Sequence, residues 1–218
     1  MFQLKQLKTK IWHLHFEHHY DLTMHFLRYQ EYYESPRFKK LNVQLVDVMD
    51  WYSRNIGEGL FTYPNDWAGF NLPGADIFKL HKQGIEDANR YDRMMLGIAE
   101  FIRAKEDNDR FYLIGTSDTD EYLPSTFNHE LAHGMFFAEP EYRKTTIALV
   151  DEIPTRTRNF LFKKLKECGY AEGFLVDECQ AYMSTGIYDT FNTKGVRAHV
   201  PKFEKVFRKH AGKLRRKG

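Results

Sequence analysis

Residues 129–133, His-Glu-Leu-Ala-His, constrain the fold of this chain more than any other stretch. Two histidines four positions apart share a face on a helix, so the pentapeptide asks for a helix and for a second element brought up to that face. There His129 and His133 can grip one divalent metal, with Glu130 beside them to take a proton from water. Leu131 and Met135 point the other way and give the helix an apolar anchoring side. Phe136 and Phe137 continue it, which holds the histidines in mid-helix. A catalytic zinc site takes three protein ligands and leaves one position open, so two histidines are one ligand short.

The rest of the chain has the material to build that support. At 218 residues, with 42% apolar and 16% aromatic content, it can bury a substantial core. A formal charge of +2 gives no global field of the kind a dedicated nucleic-acid binder carries. Residues 1–10 alternate lysine with single apolar positions and do not read as a signal peptide, and no stretch approaches a membrane span. Cys168 and Cys179 are too few for a disulfide framework and fit a reducing compartment. The expectation is a soluble cytoplasmic protein forming one domain over residues 1–218. Within it, 1–104 form a helical front part with one strand, 105–190 the core with the site, and 200–218 a basic C-terminal helix and tail.

Hydrophobic periodicity predicts the elements. Trp12, Leu14 and Phe16 alternate with Ile11, His13, His15 and Glu17, which predicts a half-buried strand over 11–17. Leu22, Phe26, Tyr29 and Tyr33 mark a helix stopped by Ser35-Pro36, and Leu45, Val48, Met49 and Tyr52 mark another. Residues 60–74 mix Pro64, Gly69, Pro73 and Gly74 with aromatics and read as a packed loop. Steps of three and four from Ile85 to Ile102 predict a helix over 84–104, and 111–114 a strand closed by Gly115. Helices follow from Pro124-Ser125, from Pro140 to about 150, over 155–167, over 174–185, and from Pro201. The fold class is α+β, mainly helical with a small sheet.

Glu178 is the best third ligand. Its helical neighbours, Phe174, Leu175, Ala181 and Tyr182, make an apolar face, and a carboxylate buried there needs a cation. Small Ala181 lets another helix come close. The metzincin pattern needs glycine and histidine where this chain has Phe136 and Glu139, and the deformylase pattern needs a cysteine upstream, whereas both cysteines here lie downstream.

An H-E-x-x-H helix followed by a helix donating glutamate resembles the gluzincin group of zinc metallopeptidases, over roughly residues 111–186. The resemblance implies a zincin-like domain, Zn2+ held by His129, His133 and Glu178, and Glu130 as general base. The gap from His133 to Glu178 is wider than in thermolysin-like members. Those members also carry aspartate four residues after the ligand glutamate, where this chain has Tyr182. The expected function is a zinc-dependent hydrolase cutting peptides or proteins with metal-activated water. Tyr182, one turn beyond Glu178, is the first candidate to stabilise the oxyanion, with Tyr170 and His199 behind it. Strand 111–114 is a candidate for pairing with an extended substrate.

Other features read as structural. His13 and His15 with Glu17 look like the solvated face of their strand, and Asp118, Asp120 and Glu121 like a solvated loop before a helix. Two rival functions stand beside the hydrolase. One is a non-catalytic regulator using the site to sense metal or bind a partner. The other is a nucleic-acid-associated factor acting through Arg208, Lys209, Lys213 and residues 215–217. Neither a membrane nor nucleic acid is the expected partner.

Overall fold

The computed structural model describes residues 1–214 and is α+β, mainly helical with one four-stranded sheet. The chain falls into two compact units, residues 1–123 and 124–218. None of the described helices is long and apolar enough to cross a membrane.

Unit 1 runs β1 (Phe2–Lys8), β2 (Ile11–Phe16), α1 (His19–Glu34), α2 (Leu45–Asn55), α3 (Tyr63–Asp66), β3 (Phe70–Pro73), α4 (Gly74–Lys82), α5 (Arg90–Glu106) and β4 (Tyr112–Ser117). Sheet order is β1-β2-β4-β3. Strand β2 pairs antiparallel with β1 and parallel with β4, whose other edge holds β3 antiparallel. Trp12, Leu14 and Phe16 enter the core as their alternation predicts, beside Leu22, Phe26 and Tyr29 of α1. Helix α1 comes so close to β4 that a Cβ on Gly115 would lie 2.7 Å from side-chain atoms of Leu22 and Phe26. Only glycine fits that crossing.

Four expectations for unit 1 need correction. Strand β4 lies between β2 and β3, with both edges hydrogen-bonded, so residues 111–114 are not open to an added strand. His13 and His15 are buried, because Thr116 on the neighbouring strand satisfies both rings. The 84–104 helix starts only at Arg90: Asn89 accepts from the Tyr91 and Asp92 amides, closing a capping box that overrides the earlier periodic positions. The 60–74 loop contains a short helix and strand β3. Strand β1, which periodicity did not announce, completes a hairpin with β2 across Lys10 in the left-handed region (φ 65°).

Unit 2 is opened by α6 (Leu123–Ala138) and continues with α7 (Pro140–Glu152), α8 (Thr155–Glu167), α9 (Leu175–Thr185), α10 (Lys194–Arg197) and α11 (Val200–Ala211). Helix α9 packs against α7, α8 and α11, and so forms the centre of the unit. Its Leu175, Cys179 and Met183 join Leu161 and Leu165 of α8 and Phe203 of α11 in one core. That placement explains how a short helix can carry polar side chains inward without losing its position. The basic tail residues 215–217 lie outside the described residues.

Candidate metal centre

Helix α6 carries His129 and His133 one turn apart, with ring centroids 4.8 Å from each other. Leu131 and Met135 are fully buried on its anchoring side. Helix α9 brings Glu178 to the histidines. The two Nε2 atoms are 3.1 Å apart, His129 Nε2 is 3.6 Å from Glu178 Oε2, and His133 Nε2 is 3.5 Å from Glu178 Oε1. A metal with bonds of about 2.0–2.1 Å at tetrahedral angles needs donor atoms roughly 3.3 Å apart. The two imidazole nitrogens lie close to that spacing, and the carboxylate meets each of them with a different oxygen. This is the only group of His, Cys, Asp and Glu side chains among the described residues arranged to hold a metal ion.

The donor chemistry agrees with the geometry. His133 Nδ1 lies 2.9 Å from Asp177 Oδ1, and a carboxylate can only accept, so this nitrogen carries the proton. In the neutral ring Nε2 is then a bare lone pair aimed at the site. Glu178 Oε2 is buried and has no hydrogen-bond partner among the described residues. Acceptors crowd together with too few protons between them, and a cation relieves the crowding. Without metal, a proton does part of this work. Burial alone would lower the pKa of His133, but the charges of Asp177, Glu178 and Glu130 outweigh burial and hold it well above the ordinary histidine value. These residues therefore fit a divalent ion that accepts imidazole and carboxylate ligands.

Glu130 is buried, and its charge reaches both His133 and the phenol of Tyr188. Tyr182 holds its ring tilted 4.5 Å from that of His129, while its hydroxyl is 2.8 Å from the hydroxyl of Tyr170. Burial, reinforced by the charge of Glu178, raises its pKa, so it stays a protonated donor. Glu139, which stands where the metzincin pattern needs histidine, pairs with His210 at 2.8 Å. His199 sits at the N-cap of α11, with no hydrogen bond or ring contact to the triad.

Two residues of this neighbourhood were not singled out from sequence. Asp177 lies one position before Glu178, about 100° round the helix and so off the apolar face that marks Glu178. Tyr188 follows the α9 terminator Gly186 (φ 143°), so the returning chain sets its ring 5.1 Å from that of Tyr182 while leaving it 61% exposed. A tyrosine just past a helix stop beside a ligand helix was the available signal.

Comparison with known proteins finds no matching family model, no matching curated protein and no matching solved structure.

Proposed function

We propose that the chain is a zinc-dependent hydrolase that cuts peptide bonds, with His129, His133 and Glu178 as ligands. The observation that carries this reading is the convergence of two imidazole nitrogens and a buried carboxylate, with ligand atoms within 4.8 Å of one another and one carboxylate oxygen lacking a hydrogen-bond partner among the described residues. When bound, zinc supplies a Lewis acid that acidifies water and polarises a carbonyl. Glu130 is the base: it accepts the water proton and hands it to the leaving amine. The Tyr182 ring lies against His129 and the Tyr188 ring against Tyr182, and their hydroxyls are the candidates to meet a developing oxyanion. The free thiols of Cys168 and Cys179 support the cytoplasm as the place of work.

Glu130→Gln tests the chemistry, since it removes the base while leaving every ligand. It should retain zinc and lose turnover of a peptide library by about a hundredfold or more. Equal turnover in wild type and variant would sink the assignment. The burial of His133, Glu178 and Glu130 favours a second reading, a metal-sensing or partner-binding regulator. Stoichiometric zinc in a wild type that cleaves nothing in the library would decide for it.

A further inference from the structure

Helix α9 carries a second polar line beside the one that holds Glu178 and Tyr182. Asp177, Gln180 and Ser184 follow one another at steps of three and four, so they share a face. All three are tied to unit 2 by hydrogen bonds. Gln180 Nε2 donates to Asp177 Oδ1 at 3.0 Å, the same oxygen that takes the His133 Nδ1 proton at 2.9 Å. Tyr142 of α7 donates its hydroxyl to Gln180 Oε1 at 2.8 Å, and its oxygen lies 3.4 Å from Ser184 Oγ. Tyr142 and Gln180 are fully buried and Ser184 is 3% exposed, so water does not compete for these groups.

The direction of each proton follows from its partners. Asp177 can only accept, so Gln180 must present its amino group to Asp177 and its carbonyl to Tyr142. Tyr142 must then spend its proton on that carbonyl, which leaves its oxygen to accept from Ser184. The protons run one way, from Ser184 through Tyr142 and Gln180 to Asp177.

We infer that Tyr142 and Gln180 are positioning residues for the metal: they pin Asp177 so that His133 keeps its proton on Nδ1 and its lone pair on the ligand nitrogen. The metal part of this inference rests on the triad being a metal centre; the tautomer part does not. Asp177 needs the help because its side chain is 15% exposed and solvent competes for it. Released, it would let the neutral ring move its proton to Nε2, between His129 and Glu178, where it blocks the ligand position. The hydroxyl of Tyr142 matters for the same reason, since it holds the Gln180 amide the right way round.

Two readouts in Tyr142→Phe and Gln180→Leu, with Asp177→Asn as reference, test this. Long-range proton–nitrogen NMR on zinc-free protein, at a pH where the His133 ring is neutral, should show the Nδ1–H tautomer in wild type and a mixture in the variants. Chelator competition should show zinc affinity weakened about 10- to 100-fold in Asp177→Asn and about 3- to 10-fold in the other two. Lower melting temperatures with unchanged tautomer and zinc affinity would overturn the proposal and leave these residues with packing alone. A wild type that shows the tautomer shift on mutation but takes up no zinc would uphold the positioning and overturn the metal reading.

Discussion

Unit 1 holds more histidines than unit 2, yet among the described residues only unit 2 brings histidines into a group that could hold a metal ion. In unit 1 the rings of His13, His15, His19 and His81 each meet a hydroxyl, which can supply or take a proton. His13 and His15 share the hydroxyl of Thr116 at 2.8 Å each, and His15 also reaches Asp118 at 2.9 Å. His19 lies between Ser117 and the carbonyl of Trp67, and His81 meets the hydroxyl of Tyr29. In unit 2 the ligand nitrogens of His129 and His133 face each other and a carboxylate. Hydroxyls adapt to a ring, whereas carboxylates and lone pairs do not, so the second arrangement favours an added proton or a metal ion. What separates a structural histidine cluster from a candidate metal site is therefore the shortage of protons, which a count of histidines does not reveal.

The largest expected effect separates the two units outright. After loading and dialysis, wild type should keep about one zinc per chain, and His133→Ala or Glu178→Ala almost none. His13→Ala and His15→Ala should match wild type, and zinc loss in those variants would break the contrast. A smaller effect runs the other way. Thr116→Val removes the hydroxyl two buried rings depend on and should destabilise the protein by about 2–3 kcal/mol in a denaturant titration, with zinc affinity unchanged. The smallest concerns pH. Burial holds His25 below the ordinary histidine value of 6.5, even though its Nδ1–H donates to the Asp21 carbonyl. Its folded state thus prefers the neutral ring. The stability it contributes is complete above that value and declines as pH falls through the lower folded pKa. His25→Gln should flatten the fall of the denaturation midpoint between neutral and mildly acidic pH; an unchanged slope would remove His25 as a cause.

The comparison also shows what sequence could reveal. Helix α8 runs Thr155–Glu167 as its periodicity and Gly169 predict, and the meeting of His129, His133 and Glu178 was legible because each carries a local sign. Two histidines four apart define a face, and Glu178 sits among apolar neighbours that a free charge would not choose. The misreadings share one origin. Alternation in 11–17 identifies the apolar face but cannot say whether the polar one meets water or Thr116, which is a hundred residues away. Strand β3 spans four residues ending in Pro73, too short for any period to register. Whether β4 is an edge depends on strand order, which arises from pairing between distant segments. Asp177 and Tyr142 acquire roles only once α9 has a definite rotation about its own axis.

The two carboxylates that grasp opposite nitrogens of His133 come from consecutive residues of one helix, so α6 and α9 are clamped at a single ring. With zinc as the cation in that clamp, mass action enters the folding equilibrium of unit 2. At a thousand times the dissociation constant the ion adds about 4 kcal/mol to the folded state, a large share of what a small domain possesses. Metal starvation would then shorten the life of unit 2 against proteases as well as silence its chemistry, and the abundance of the protein would follow the zinc supply.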